Sequence, residues 1–200
     1  SKERDVMIDL GIVCQGCGSE GLERLLDLGS QPLCNEFLPA GDAPKPQTFY
    51  PLCLCVCHKC SLAQLDYVIP TEVSFGEQYT YLTGSSESLI RYYSDLALRL
   101  KEKFDLRPGD TVIEIGSNDG TFLKALQSLG LNVLGIEGAT VSSDIAVANG
   151  IPVIQQFFRR GIVESVKDRI QSGSSVRLVL AMNVLAHTDN INDFLTGVVD

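Results

Sequence analysis

The cysteines of this chain lie within its first 60 residues, and the rest of its 200 residues contain none. Cys14 with Cys17 and Cys57 with Cys60 form two Cys-x-x-Cys pairs. Each pair can present two thiolates about one tetrahedral edge apart, and four thiolates complete a closed structural Zn²⁺ shell. We therefore predict a zinc-binding module in residues 1–70, with these four cysteines as the metal ligands.

The second cysteine pair leaves alternatives open. Cys53, Cys55 and Cys57 recur at a period of two, which would place them on one face of a β-strand. Cys55 could therefore replace Cys57 as a ligand, and His58 is a further alternative. Gly18 suits the turn after the first pair. The rest of residues 1–70 reads as an irregular module with a Pro-rich middle, formed by Pro39, Pro44 and Pro46.

The charge and hydropathy of the chain limit its partners. The 25 acidic and 16 basic residues give a formal charge of −9, which disfavours a nucleic acid, since phosphate contacts need clustered cations. No apolar run approaches the roughly 18 residues of a membrane span, and no basic-then-apolar leader begins the chain. We expect a cytoplasmic location, no membrane partner and a small-molecule substrate. The sequence does not indicate an oligomeric state.

From residue 88 onward the apolar pattern indicates helices and strands in alternation. A helical stripe predicts a helix over 88–104, with Leu89, Tyr92, Tyr93, Leu96 and Leu100 facing the core. We assign 71–110 to a linker and a helix that lines the active site. In residues 111–200, strands are predicted at 111–115, 132–136, 152–154 and 176–181, and helices at 121–129, 145–148, 161–170 and 191–198. This alternation predicts an α/β fold with a parallel sheet covered on both faces.

A glycine-containing segment, Glu114-Ile-Gly-Ser-Asn-Asp-Gly120, ends a predicted strand and begins a predicted helix. Nucleotide-like cofactors bind at this position in doubly wound sheets. Asn118 stands where a dinucleotide fingerprint has its middle glycine, so NAD fits less well. Glu137 ends the next strand, where an acid can accept hydrogen bonds from both ribose hydroxyls. We therefore predict a class I, Rossmann-like sheet that binds S-adenosylmethionine (SAM) through Glu114, Gly116, Asn118, Asp119, Gly120 and Glu137.

Across nearly all of its length the chain resembles the zinc-containing sugar C-methyltransferases, which alkylate nucleotide-linked keto-deoxysugars. The matching segments, in the family's order, are Cys14-x-x-Cys17, Leu28-Gly-x-Gln-Pro-Leu33 with Asn35, Cys57-x-x-Cys60-Ser-Leu-Ala-Gln-Leu65, Tyr79-Thr-Tyr81 with Ser85-Ser86, Glu114 to Gly120, and Asn183-Val-Leu-Ala-His187. The resemblance implies deoxysugar biosynthesis, with SAM and Zn²⁺ as cofactors.

The resemblance also suggests roles for residues outside the glycine segment. Tyr79, Tyr81 and His187 match positions that line the family's active site, so they are the catalytic candidates. Gln156 matches a position near the adenine where family members often have Asp, and Asn183 begins a matching segment beside the cofactor. The family's main base lies in a Glu-His pair beyond Asp200, so we expect a truncated sheet and no base within these residues.

Two other functions remain compatible with the sequence. A zinc-ribbon methyltransferase acting on RNA would share both modules, although the acidic charge argues against it. A non-catalytic binding protein could also keep the fold. Retention of the acids and glycines around 114–137 favours a protein that still binds its cofactor.

Overall fold

The computed structural model describes residues 12–34, 41, 47–76, 79–170 and 174–200. These residues form two compact units. One extends to Ile69 and includes Asp189–Asn192, and the other comprises Pro70–Thr188 with Asp193–Asp200. We call them the N-terminal unit and the α/β unit. Asn35 and the predicted Pro-rich middle, with Pro39, Pro44 and Pro46, lie outside the described residues.

The N-terminal unit is built on a three-stranded antiparallel sheet in the order β1-β2-β3. Its strands are β1 (Leu22–Pro32), β2 (Phe49–Cys57) and β3 (Ala63–Leu65). The prediction of an irregular module was therefore wrong. The strand β1 gave no alternating pattern because ten of its eleven residues are exposed, so apolar periodicity could not reveal it.

The α/β unit contains a four-stranded parallel sheet in the order β6-β5-β4-β7. Its strands are β4 (Thr111–Ile115), β5 (Asn132–Ile136), β6 (Val153–Ile154) and β7 (Val176–Leu180). The helices are α1 (Thr71–Ser74), α2 (Glu87–Lys103), α3 (Thr121–Ser128), α4 (Thr140–Ala148), α5 (Val163–Arg169) and α6 (Ile191–Val199). Short 3₁₀ turns occupy Thr83–Ser85, Arg160–Ile162 and Leu185–His187.

The central strand β4 is buried throughout and contributes to two apolar cores, one on each face of the sheet. Val112 packs with Phe122 and Leu126 on one face. On the other face, Ile113 and Ile115 pack in a second core, with Val166. Helices on both faces of a parallel sheet are the doubly wound arrangement, and the carboxyl ends of its strands form the ligand-binding edge. The predicted α/β, Rossmann-like fold is confirmed.

The helix α2 begins where Ser86, its N-cap, accepts a hydrogen bond from the backbone N–H of Leu89. The predicted stripe is partly correct, since Tyr93, Leu96 and Leu100 pack against the first core. Tyr92 is instead 47% exposed, and the fully buried member of the helix is Ala97. Alanine is small and only weakly apolar, so it does not stand out in an apolar pattern, and Ala97 was therefore not predicted to be buried.

The helix α4 begins at Thr140, earlier than the predicted start at residue 145. Its buried face includes Ser142 and Ser143. Because these buried residues are polar, the apolar pattern of the sequence does not mark the first turn of the helix. In the described part of the chain, no helix has the length and apolar content needed to cross a membrane.

Candidate zinc centre and cofactor site

The four cysteines predicted to bind zinc lie together in the N-terminal unit. The Sγ atoms of Cys14, Cys17, Cys57 and Cys60 all lie within 4.8 Å of one another. Cys14 and Cys60 are 3.6 Å apart at sulfur, and Cys17 and Cys57 are 3.7 Å apart. Zn–S bonds of about 2.3 Å in a tetrahedron place sulfurs close to this separation. The donor set therefore fits a structural Zn²⁺ with no open position for water.

The two knuckles have matching backbone turns. The backbone N–H of Gly18 donates to the carbonyl of Cys14, and that of Ser61 donates to the carbonyl of Cys57, both at 2.8 Å. Gly18 has φ 70° and Ser61 has φ 62°. Both residues are thus in the left-handed region, which suits glycine and strains serine. The Ser61 turn is held despite this strain, as expected for a segment fixed by metal ligands.

Ser19 is a further component of this centre that was not predicted from the sequence. Its Oγ lies 3.2 Å from the sulfur of Cys17 and 3.1 Å from that of Cys57. The Ser19 hydroxyl and then the backbone N–H groups of Cys60 and Lys59 lower the pKa of Cys57 to about 6. In the same cluster the backbone N–H of Leu62 acts to lower the pKa of Cys60, but the interaction with Cys14 and burial outweigh it and raise that pKa to about 12. The metal-free thiols therefore differ in how readily they ionise.

The two alternative ligands do not join this group. Cys55 lies on the same face of β2 as Cys57 but belongs to a separate cluster with Cys53 and Asp66. The imidazole Nε2 of His58 lies 3.3 Å from a carboxylate oxygen of Glu23, and both side chains are more than half exposed. The geometry therefore favours Cys57.

In the α/β unit, the loop after β4 turns tightly at the carboxyl edge of the sheet. Gly116 has φ 69°, and a Cβ added there would collide with the side chain of Val184. Gly120 has φ 75° and caps α3, and a Cβ added there would crowd the side chains of Ile151 and Ala146. Asn118, between them, is also left-handed at φ 50°. Only glycine fits at Gly116 without displacing a neighbour.

Glu137, at the end of β5, holds this loop in place. One carboxylate oxygen accepts from the backbone N–H of Asn118 and the other from that of Ala139, both at 2.8 Å. The side chain is buried, and burial raises its pKa although these N–H donors oppose the shift. The predicted ribose acid is therefore already oriented, with lone pairs left for further donors.

Glu114 is buried beneath the same loop and is only 5% exposed. Its Oε2 atom has no hydrogen-bond partner in the described residues. Burial, followed by the charges of Glu137 and Asp119, raises the pKa of Glu114 well above its ordinary value. A buried carboxyl oxygen without a partner is costly and is typical of a site that receives a ligand.

The side chains of Asn118 and Asp119 hold a neighbouring segment of the same unit. Asn118 Oδ1 accepts from the backbone N–H of Thr83, and its amide donates to the carbonyl of Tyr81. Asp119 Oδ2 accepts from the backbone N–H of Gly84 at 2.7 Å. The glycine loop and residues 81–84 are thus joined by side chain to backbone bonds. The sequence offered no signal for this link, because its partners are 35 residues apart.

The three catalytic candidates meet around an aromatic residue that was not predicted. The ring of Phe75 lies 5.1 Å from that of Tyr79 and 5.5 Å from that of His187, centroid to centroid. Tyr79 and Tyr81 are 6.4 Å apart. Tyr81 and His187 are exposed. We call these four residues the aromatic group.

The remaining cofactor candidates follow the ends of β6 and β7. Gln156 is exposed, and its backbone N–H donates to the carbonyl of Ile154. Asn183 is exposed and left-handed at φ 56°. Both therefore lie beyond the carboxyl ends of strands, at the edge where ligands bind in such sheets.

The fold and site define a protein with a cysteine-based metal unit and a Rossmann-like α/β unit. Residues 14–75 match the family described as "Methyltransf_13: Putative zinc binding domain". This match and the cysteine quartet together identify the N-terminal unit as a zinc-binding module. The chain is 31% identical over 185 residues to the C-methyltransferase NovU of Streptomyces niveus, an alignment that covers 92% of this chain and 43% of the relative.

Two further similarities are more partial. The mitochondrial enoyl-[acyl-carrier-protein] reductase of Xenopus tropicalis is 32% identical over 97 residues, covering 40% of this chain and 28% of the relative. The solved plantazolicin methyltransferase BpumL, in complex with a triazolic desmethylPZN analog and SAH, aligns with a TM-score of 0.42 and 15% identity over 58% of this chain and 44% of that one. The chain spans less than half the length of the curated relatives it matches.

Proposed function

We propose that this chain is the zinc-binding and cofactor-binding part of a SAM-dependent methyltransferase that methylates a carbon of a small molecule. We further propose that the acceptor is a nucleotide-linked keto-deoxysugar. The methyltransferase part rests on the relation to NovU and on the charge of the cofactor loop. The acceptor rests on the sequence resemblance to sugar C-methyltransferases.

The observation that carries the cofactor proposal is the group of three buried acids at the loop. Glu114, Asp119 and Glu137 are each at most 8% exposed. In a dinucleotide-binding sheet the anionic pyrophosphate binds at this loop, where the carboxylate of Asp119 would repel it and where Glu114, if it ionised, would add to the repulsion. SAM carries a sulfonium and an ammonium group instead. The acidic loop therefore favours SAM over NAD.

The chain's residues have separate roles in this proposal. Glu137 accepts hydrogen bonds from the ribose hydroxyls while it holds the backbone of Asn118. Glu114 offers its unpartnered oxygen to the ammonium end of the cofactor. Gly116 lets the backbone approach closely. SAM, when bound, supplies a methyl group activated by its sulfonium.

The acceptor proposal places the sugar against the aromatic group. Carbon methylation requires removal of a proton beside a ketone, which needs a positioned base and stabilisation of the enolate oxygen. The Tyr79 and Tyr81 hydroxyls and the His187 imidazole can orient the sugar and donate hydrogen bonds to that oxygen. By the resemblance, the main base comes from a Glu-His pair outside these residues.

The test is a methyl transfer assay in deuterated water. The full-length protein receives SAM and a nucleotide-linked 4-keto-6-deoxysugar, and mass spectrometry follows the deuterium and the methyl group in the product. We expect both to enter the sugar. Residues 1–200 alone are expected to bind SAM without exchanging the sugar proton, because the resemblance assigns the base to a Glu-His pair outside them.

Three outcomes would change the account. Exchange by residues 1–200 at the rate of the full-length protein would place the base within them, with His187 as the first candidate. Methyl transfer to another small molecule but not to the sugar would remove the acceptor and keep the enzyme class. Methylation of an RNA transcript alone would replace the sugar proposal with the zinc-ribbon RNA methyltransferase.

A further inference from the structure

A second cluster of metal-binding side chains lies in the N-terminal unit, apart from the four cysteines of the zinc centre. It consists of Cys53, Cys55 and Asp66, whose ligand atoms all lie within 4.8 Å of one another. The three residues are 2%, 1% and 9% exposed, respectively. They share no member with the zinc centre, so that centre does not explain them.

The sheet places the three side chains on one face. Cys53 and Cys55 alternate along β2, so both point to the same side. Asp66 immediately follows β3, and its backbone N–H donates to the carbonyl of Cys53 at 3.1 Å. In β1, Arg24 lies directly opposite Cys55 in the register. The pairing of the strands therefore fixes the positions of all three candidate ligands.

The two oxygens of Asp66 have different surroundings. Oδ2 accepts from the guanidinium of Arg24 at 2.9 Å. Oδ1 is buried without a hydrogen-bond partner in the part of the chain that the structure describes. The Asp66 side chain is 5% exposed, so water does not readily satisfy it. A carboxylate oxygen left in this way costs free energy unless something binds it.

The composition of the unit's interior supports a ligand here. In the described part of the N-terminal unit, the buried residues are Cys14, Cys53, Cys55, Cys57, Gln64 and Asp66, and no aliphatic side chain is among them. Cys53 and Cys55 therefore do not belong to an ordinary apolar core. A carboxylate and two thiols in a small interior without aliphatic residues suit a bound cation.

We propose that Cys53, Cys55 and the Oδ1 atom of Asp66 bind a second thiophilic divalent cation of the Zn²⁺ class. Thiolate sulfur and carboxylate oxygen are both zinc ligands, so the three side chains supply three donors and the fourth position takes water or an added small ligand. Arg24, which donates to the other oxygen of Asp66, neutralises part of the ligand charge. Binding also satisfies the unpartnered oxygen and adds a cross-link between β2 and the end of β3.

The test uses Co²⁺ as the probe, because sulfur-to-cobalt absorption reports thiolate ligands. The reduced, metal-free full chain is titrated with Co²⁺ under exclusion of oxygen. We expect saturation at two equivalents of Co²⁺. The second equivalent should add about half the charge-transfer intensity of the first, because the second site has two thiolate ligands and the zinc centre has four. Saturation at one equivalent would overturn the proposal, and this readout needs no variant.

Substitutions then assign the second equivalent. The Asp66→Asn protein should bind it about tenfold more weakly or worse and keep the first unchanged. The Cys53→Ser and Cys55→Ser double variant should lose it altogether. Cys34→Ser is the matched control, since Cys34 is exposed and outside both clusters, and it should keep both equivalents. If Asp66→Asn binds the second equivalent of Co²⁺ as tightly as the unaltered protein does, the assignment of Asp66 as a ligand is contradicted.

Discussion

Removal of zinc by a strong chelator under reducing conditions should unfold the N-terminal unit and leave the α/β unit folded. In the described residues, the N-terminal unit buries cysteines and two polar side chains but no aliphatic core. We therefore expect metal binding to supply most of the free energy that folds these described residues, since structural zinc in small domains contributes about 10 kcal/mol or more. The α/β unit has its own two cores, built around residues such as Phe122 and Ile115.

Hydrogen exchange with mass spectrometry distinguishes the two units in one experiment. Peptides from β2 and β3 should lose nearly all protection after chelation, whereas peptides from β4 and β5 should keep theirs. Cys17→Ser should reproduce the chelated state, and Cys34→Ser should behave as the unaltered protein. Retained protection in β2 after complete metal loss would contradict a zinc-dependent fold.

Substitution of Glu114 by Gln should stabilise the free protein and weaken SAM binding. The folded-state pKa of Glu114 is raised well above its ordinary value, by burial first and then by Glu137 and Asp119. Such a carboxyl lowers stability as the pH rises above its unfolded pKa. Gln resembles the protonated form of Glu. The free energy of unfolding of Glu114→Gln should therefore equal that of the unaltered protein at about pH 4 and increasingly exceed it towards about pH 8.

The same substitution removes the carboxyl group that we propose to ionise and pair with the cofactor's ammonium group. We expect the dissociation constant for SAM to rise about tenfold or more, as for loss of a hydrogen bond to a charged group. Urea unfolding at several pH values gives the stability, and calorimetry gives the affinity. Glu102→Gln, on the exposed side of α2, is the matched control and should change neither. Unchanged SAM affinity in Glu114→Gln would remove Glu114 from the cofactor site.

Most helices and strands of the α/β unit were predicted from the sequence because each has a recognisable pattern of apolar residues. The buried run of β4 and the apolar stripe of α3 are visible without any tertiary information. The strand β1 was not predictable, since its residues face outward and follow no period. The start of α4 was hidden by the buried serines Ser142 and Ser143.

The candidate sites were predictable to different extents for a similar reason. Cys-x-x-Cys spacing is local, so the zinc ligands could be proposed from the sequence. The contacts of Ser19 with two sulfurs, and of Asn118 and Asp119 with the backbone of residues 83 and 84, depend on how distant segments meet. Phe75 gave no signal because a single aromatic residue in a loop resembles ordinary packing.

A calorimetric titration of residues 1–200 with SAM tests most directly whether the loop after β4 and the acids around it bind this cofactor. We expect one SAM to bind per chain, no displacement by NADH, and a loss of SAM binding free energy on the order of 1.5 to 3 kcal/mol in Glu137→Ala. Tighter binding of NADH than of SAM, or equal SAM affinity in Glu137→Ala, would contradict this expectation.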